Sequence, residues 1–232
     1  MIIGGLQKNS FIDFPGRISC VLFTSGCNFH CPYCHNPELA CGLPSAEPVL
    51  TLKQFCAFLA ARRSFLEAVV ISGGEPTLQA DLAVVCKAVK DLGFEVKLDT
   101  NGSRPRVLRR LLAEGLIDYV AMDIKTDPGR YAPVFQTIDE PAAIRESLRI
   151  ILTSAPAYEF RTTCVRPIID EEVIAAIARL IEGADRYVLQ SFQDQRLLNP
   201  AFFQPVEPAF SDTQMRHLQA VARKWVGHCL IR

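Results

Sequence analysis

At residues 68–76 the chain reads Ala68-Val69-Val70-Ile71-Ser72-Gly73-Gly74-Glu75-Pro76, an apolar, β-branched run that ends in a polar loop with two glycines. A short run of this kind, bounded by turn residues, predicts a buried β-strand. Similar apolar runs recur along the chain, and a segment whose apolar residues have helical spacing follows each of them. The predicted strands are Ile18–Phe23, Ala68–Ser72, Glu95–Thr100, Tyr119–Ile124, Glu159–Cys164 and Arg186–Phe192.

Strands that alternate with helices indicate a parallel sheet covered by helices. Six strand–helix units are too few for a closed eight-stranded barrel, so we predict an α/β fold, a single open, partial TIM-like (β/α)6 barrel. No linker or low-complexity tract divides residues 1–232, so we expect one domain with its core in residues 15–195 and a less distinctive tail at 199–232. The predicted helices are Thr51–Arg63, Asp81–Leu92, Pro105–Glu114, Glu140–Ser154, Glu171–Ile181 and Ser211–Trp225.

The composition excludes several classes of protein. Of the 232 residues, 49% are hydrophobic and 22% are charged, the balance of a globular domain. Lysine plus arginine equals aspartate plus glutamate at 25 each, so no excess charge would attract nucleic acid or a membrane surface. Residues 1–10 lack the features of a signal peptide, and no apolar run approaches the roughly 20 residues that span a bilayer. We expect a cytoplasmic protein that binds neither nucleic acid nor membranes.

The chain has nine cysteines, an odd number, which argues against a disulfide framework and for metal or redox chemistry in a reducing compartment. Cys27, Cys31 and Cys34 share one loop with Cys-x3-Cys-x2-Cys spacing. Cysteines inside apolar runs are expected to be small core residues. These are Cys20, Cys56, Cys86 and Cys164.

Three thiolates in one loop can hold an iron–sulfur cluster or, with His30 or His35 as a fourth ligand, a zinc ion. Structural zinc sites usually take their ligands from two separated pairs, and no second pair follows this loop. A cluster held by three cysteines leaves one iron open for chemistry. The spacing therefore favours the cluster, and a zinc-stapled binding module is the non-enzymatic alternative.

Chemically active side chains follow successive predicted strands at the points where the strands end. Examples are Ser72–Pro76, Asp99–Gly102 and Asp123–Lys125. The C-terminal ends of the strands carry the active site in (β/α) barrels. Because the cysteine loop follows the first predicted strand, we expect all of these residues to share one mouth.

Several motifs together resemble a known family. The three-cysteine loop followed by Gly73-Gly74-Glu75-Pro76 resembles the radical S-adenosylmethionine (SAM) superfamily. Tyr33-Cys34-His35-Asn36, Asp99-Thr100-Asn101-Gly102 and Asp123-x-Lys125 resemble the activases of glycyl-radical enzymes. The stretch from Gly4 to Leu39 is similar to activating proteins of anaerobic ribonucleoside-triphosphate reductase.

The resemblance implies an oxidoreductase whose catalytic centre is a 4Fe–4S cluster on Cys27, Cys31 and Cys34. Reduction of the cluster would cleave SAM, and the resulting radical would take a hydrogen atom from a glycine of a partner enzyme. The implied partner is an anaerobic ribonucleotide reductase, and the implied electron donor is of the flavodoxin type. One cluster is expected because the short segment between Cys34 and Thr51 contains only one more cysteine.

The resemblance also implies residues that bind SAM. Gly73 and Gly74 would let the backbone approach the ligand, and Glu75 would pair with the methionine ammonium group. Tyr33 and His35 would line the adenine side.

Asp99 and Asp123 would help to hold a monovalent cation, while Lys125 would contact SAM. The alternative for these three residues is an Asp–Lys pair that closes the barrel mouth without those roles. Arg161, within a predicted strand, is a further candidate to point into the mouth.

The sequence leaves other functions open. One is an activase of the pyruvate formate-lyase type, although such relatives have a SAM-contacting histidine where this chain offers Phe192 or Gln193. A second is a radical SAM enzyme that acts on a small molecule, such as a deazapurine-forming synthase.

Overall fold

The computed structural model describes residues 3–42, 50–135, 141–195 and 197–232. These residues contain one eight-stranded sheet whose spatial order follows the order of the chain. The first strand is antiparallel to the second, and each later pair is parallel. The strands are β1 (Ile3–Ser10), β2 (Ser19–Thr24), β3 (Ala68–Gly73), β4 (Glu95–Thr100), β5 (Tyr119–Asp123), β6 (Tyr158–Cys164), β7 (Arg186–Ser191) and β8 (His228–Ile231).

Helices connect the parallel strands. Within the described residues, no helix is long and apolar enough to cross a membrane. Short 3-10 turns occur at Pro76–Leu78, Pro128–Arg130 and Pro200–Phe203. The α-helices are α1 (Pro37–Ala40), α2 (Leu52–Ala60), α3 (Leu82–Asp91), α4 (Pro105–Ala113), α5 (Pro141–Ser154), α6 (Glu171–Leu180) and α7 (Asp212–Ala222).

The predicted α/β fold with an open, partial barrel is confirmed. All six predicted strands are present as β2 to β7, and their ends lie within one residue of the prediction. The barrel is open because, among the described residues, β1 and β8 form the two edges of the sheet and do not pair with each other. Five predicted helices agree with α2, α3, α4, α6 and α7, and the sixth agrees with α5 from Pro141 onward, since Glu140 lies outside the described residues.

The two edge strands extend the six that the sequence predicts. Most of β1 is half-buried or exposed, and Cys229 is the buried residue of β8. An edge strand packs against a neighbour on one side only, so it needs no continuous apolar run. The predicted tail at 199–232 thus supplies α7 and the last parallel strand.

The core explains why the central strands are recognisable in the sequence. Ala68 to Ile71 of β3 are completely buried, as expected for a parallel strand covered on both faces. Inside the barrel, Phe14 from the β1–β2 connection packs on the ring of Tyr119 with centroids 5.6 Å apart. Both rings belong to a small buried cluster in the barrel interior, next to the start of β5. The predicted core cysteines Cys20, Cys86 and Cys164 are buried, and Cys56 is half-buried.

Candidate active site

A cavity of about 410 Å³ lies at the C-terminal ends of the parallel strands, and we call it the mouth cavity. It is lined by the cysteine loop after β2 and by the loops after β3, β4 and β5, as the sequence pattern predicts. Further lining comes from Arg161, Thr163 and Gln190 on β6 and β7. All eleven predicted site residues line it: Cys27, Cys31, Tyr33, Cys34, His35, Gly73, Gly74, Glu75, Asp99, Asp123 and Lys125.

The cysteine loop is held by main-chain hydrogen bonds to the short helix α1. Gly26 N–H donates to Leu39 O at 2.7 Å, and Cys27 N–H donates to Ala40 O at 3.1 Å. Within the loop, Cys34 N–H donates to Cys31 O at 3.0 Å. The backbone therefore fixes where the three thiols enter the cavity.

The three thiols lie in a largely apolar setting. Cys31 is buried, while Cys27 and Cys34 are half-buried. Burial raises the pKa of the Cys27 thiol to about 11 and that of Cys31 to about 12, and it also raises the pKa of Cys34. A buried thiol of this kind is costly to ionise alone, whereas a bound metal centre favours the thiolate. The setting suits cysteines whose charge is compensated by a cofactor.

The donor set fits an iron–sulfur cluster better than a zinc ion. In the described part of the chain, no three or more His, Cys, Asp and Glu side chains are grouped closely enough to hold a single metal ion. A cubane cluster binds each cysteine through a different iron, so its thiolates surround a larger object. Two N–H groups already point at one sulfur, since Phe29 N–H lies 3.4 Å and the Asn101 side-chain amide 3.9 Å from Cys27 Sγ.

Gly73 and Gly74 bring the β3 loop against the cysteine loop. Gly73 has a φ of +112°, which side chains disfavour. A Cβ on Gly74 would overlap the carbonyl group of Gly26. The two loops are joined by hydrogen bonds from Gly74 N–H to Thr24 O at 2.9 Å and from Glu75 N–H to Gly26 O at 2.8 Å. The close approach that needs glycine here is therefore between two backbones.

Glu75 is buried and hydrogen-bonded to the neighbouring β4 loop. Its Oε1 accepts from the N–H and hydroxyl of Thr77 and, at 2.7 Å, from the hydroxyl of Thr100. Its Oε2 accepts from Asn101 N–H at 2.7 Å. Burial raises the pKa of the carboxyl group, and these donors oppose that effect. Oε2 carries the smaller share of donors, and Glu75 lines the cavity, where this oxygen can accept from a ligand's ammonium group.

An ionic network crosses the inner wall of the cavity. Arg161 Nε lies 2.7 Å from Asp123, and Arg161 Nη1 lies 3.3 Å from Asp99. Lys125 Nζ contacts Asp123 at 3.1 Å, and Lys97 contacts Asp99. Burial alone would raise the pKa of both carboxyl groups, but the neighbouring cations hold them below their usual range. Both aspartates are therefore ionised and paired.

The residues beside the cysteines differ in exposure. Tyr33 is 3% exposed, and its hydroxyl has no hydrogen-bond partner among the described residues. Its ring lies 6.0 Å from that of Phe135 and 5.9 Å from Lys125 Nζ. His35 is exposed at the rim of the cavity.

Sequence reasoning missed Lys97 and the position of Phe192. Lys97 is two residues before Asp99 on β4, so it faces the same side of the sheet, and this alternation was the available signal. Phe192 is buried with its ring 5.5 Å from that of Phe203. Gln190 is the β7 residue that lines the cavity in this region.

Comparison with known proteins agrees with this geometry. A profile described as the Radical SAM superfamily matches residues 21–180. The chain belongs to the radical SAM superfamily. It is therefore an enzyme of a superfamily that uses a 4Fe–4S cluster and SAM.

Individual relatives of this radical SAM enzyme are named for more than one kind of activity, and GTP 3',8-cyclases are among them. A protein of Methanocaldococcus jannaschii, provisionally named a glycyl-radical enzyme activating enzyme, is 34% identical over this whole chain and 95% of its own length. The 7-carboxy-7-deazaguanine synthase of Methanothermobacter thermautotrophicus is 28% identical over 83% of this chain and 76% of its own length. Among solved structures, SuiB of Streptococcus suis with its precursor peptide matches with a TM-score of 0.69 at 13% identity. That match covers 91% of this chain and 48% of the SuiB chain, and it supports the fold alone.

Proposed function

We propose that this radical SAM enzyme activates a glycyl-radical enzyme by forming the radical on a backbone glycine of that partner. The observation that carries the proposal is the match over the full length of the chain to a protein provisionally named as such an activase. The motifs after β2, β4 and β5 support the same class. We further propose that the partner is an anaerobic ribonucleoside-triphosphate reductase and that a flavodoxin-type protein supplies the electron.

The residues of the mouth cavity suit this activity. Cys27, Cys31 and Cys34 would hold the 4Fe–4S cluster, which when bound supplies the electron that cleaves SAM. Glu75 Oε2 would accept from the ammonium group of SAM, a charge-assisted contact in a water-poor site. Lys125 would face the carboxylate of SAM.

The size of the cavity favours a substrate that enters from outside. Pockets for single small ligands usually measure about 300–1,000 Å³, and the mouth cavity at about 410 Å³ would have to hold both cluster and SAM. Little enclosed space would remain for a third small molecule. An extended loop of a partner protein could instead present its glycine through the open side of the barrel.

Two further proposals concern the chain as a whole. We propose that residues 1–232 act as one domain, because the motifs of the cavity come from strands of a single sheet. We also propose a cytoplasmic location, since all nine cysteines are free thiols and the proposed cluster needs a reducing compartment.

The second candidate function is chemistry on a small molecule. It is favoured by the similarity to a 7-carboxy-7-deazaguanine synthase over most of both chains. An activase of the pyruvate formate-lyase type remains a variant of the leading proposal, with a different partner.

The decisive experiment is anaerobic reconstitution followed by electron paramagnetic resonance with candidate partners. We expect a glycyl-radical signal on an anaerobic ribonucleotide reductase that requires SAM, reductant and this protein. Cys31→Ala should abolish the signal and Cys56→Ala should retain it. Turnover of a small molecule, with no radical on any glycyl-radical enzyme, would refute the proposal in favour of the second candidate.

A further inference from the structure

The family resemblance implies a monovalent cation at Asp99 and Asp123, and the arrangement of these residues does not fit one. On Asp99, Oδ1 contacts Lys97, while Oδ2 accepts from Arg161 at 3.3 Å and from the hydroxyl of Ser72 at 3.2 Å. Both oxygens of this carboxylate are thus engaged by the protein itself.

The second aspartate is engaged in the same way. Asp123 Oδ1 accepts from Arg161 Nε at 2.7 Å, and its Oδ2 accepts from Lys125 Nζ at 3.1 Å. The guanidinium group of Arg161 therefore bridges the two carboxylates. Its planar fork can contact both at once, which a single ammonium group does less well.

The charges of the ionic network around Arg161 leave no electrostatic need for an added cation. Three cationic side chains, Lys97, Lys125 and Arg161, face two carboxylates. A further cation between the aspartates would lie beside a guanidinium group in a poorly solvated site, where like charges repel strongly.

The neighbouring acidic groups do not change this balance. Glu159 lies 4.0 Å from Arg161 but is paired at 3.2 Å through both of its oxygens with Arg232. Glu75 takes its hydrogen bonds from neutral donors. The network around Arg161 thus retains a surplus of one positive charge.

We propose that Arg161 serves as the built-in cation of this site: it bridges Asp99 and Asp123, so that SAM binds without Na⁺ or K⁺. Arg161 is then a positioning residue, which holds both aspartates and leaves Lys125 available for the carboxylate of SAM. The inference rests on the proposed binding of SAM in the mouth cavity, and it is independent of the identity of the partner enzyme.

The first test compares salts with the wild-type protein. SAM affinity of the anaerobically reconstituted protein is measured by calorimetry in potassium, sodium and choline chloride at equal ionic strength. We expect dissociation constants that agree within about twofold, since no ion contact is lost in choline. A loss of about tenfold in choline that potassium restores would overturn the inference.

The second test creates the ion site by removing the guanidinium group. In choline, Arg161→Gln should weaken SAM binding about tenfold, because Asp123, no longer held by Arg161, would compete with the carboxylate of SAM for Lys125. Sodium or potassium should restore part of this loss, because the released carboxylates can then bind an ion. Wild-type affinity of Arg161→Gln in choline would refute the bridging role.

A readout without cofactors completes the design. The melting temperature of the cluster-free Arg161→Gln variant should rise when choline is replaced by potassium. The same change of salt should alter the melting temperatures of wild type and of the control Arg110→Gln by equal amounts. Arg110 forms an exposed pair with Glu114 and suits this comparison. If Arg161→Gln does not fold, the wild-type salt comparison decides alone. SAM binding that is independent of the salt, without activation of any partner enzyme, would support this inference and refute the proposed function. Activation of a glycyl-radical enzyme that requires potassium for SAM binding would support the proposed function and refute this inference.

Discussion

The substitution Gly74→Ala tests why the β3 loop contains its second glycine. The φ of Gly74 lies outside the left-handed region, so the effect of alanine there is expected to be mainly steric. The added Cβ would overlap the carbonyl group of Gly26. Backbone atoms cannot rotate away as a side chain can, so the β3 loop and the cysteine loop must separate.

The expected loss in free energy of unfolding follows from the contacts that this separation of the two loops strains. Overpacking costs about 1–3 kcal/mol. Weakening the hydrogen bonds from Gly74 N–H to Thr24 O and from Glu75 N–H to Gly26 O costs about 1 kcal/mol each. The smaller entropy of the unfolded alanine chain returns about 0.4–1 kcal/mol. We expect a net loss of about 2 kcal/mol or more, which lowers the melting temperature by roughly 4–8 °C or more in a chain of this size.

The assay is thermal unfolding of the cluster-free protein, followed by circular dichroism. Gly129→Ala is the matched control, because a Cβ there would meet only Asp127 Oδ1 at an ordinary 3.7 Å. We expect its stability to stay within about 1 kcal/mol of wild type. If Gly74→Ala melts like wild type and loses only SAM affinity, the glycine serves the approach of a ligand and the steric explanation is wrong.

Three further predictions concern the cavity. Cys31→Ala should lose iron and sulfide after reconstitution, whereas Cys56→Ala should retain both, as measured by metal analysis. Tyr33→Phe should not lower the free energy of unfolding of the cluster-free chain in urea. The Tyr33 hydroxyl has no hydrogen-bond partner among the described residues, and burying an unpaired hydroxyl is costly. A large decrease in this free energy would show that the hydroxyl is hydrogen-bonded. Arg161 and Lys125 depress the pKa of Asp123 against the effect of burial. The ionised carboxylate therefore stabilises the fold above its unfolded pKa of about 3.9. This stability is lost as the pH falls toward the lower pKa of the folded state. Asp123→Asn should therefore be less stable than wild type at pH 7 and lose less stability on acidification, and parallel curves for the two proteins would contradict this.

The sequence predicts the centre of the fold better than its edges. The strands β2 to β7 are largely buried, so their apolar runs stand out, as at Ala68 to Ile71. By contrast, β1 is mostly half-buried or exposed and β8 is four residues long, so neither has a strong pattern. Their place in the sheet depends on pairing with β2 and β7, which is tertiary information.

The sequence predicts which motif residues would lie together at the mouth, but not the contacts among them. Motif residues at the ends of parallel strands must meet at one edge, and all eleven line the mouth cavity. The sequence could not show that Arg161 lies between Asp99 and Asp123, because that contact depends on the register of neighbouring strands. Asp123 and Arg161 are directly paired in the β5–β6 ladder. Nor could it show that Gly74 approaches Gly26, since the partner is another loop of the same chain.

The surplus positive charge also connects the ionic network with the cysteine loop. Lys125 contacts Asp123, and its charge opposes the rise that burial causes in the pKa of the Cys31 thiol. A cluster on three thiolates and the carboxylate of SAM would both bring negative charge to this side of the cavity. Burial of negative charge without a counter-ion is costly. The one surplus cation of the network, supplied by the chain's own side chains, would offset part of this negative charge if the proposed cluster and SAM bind here.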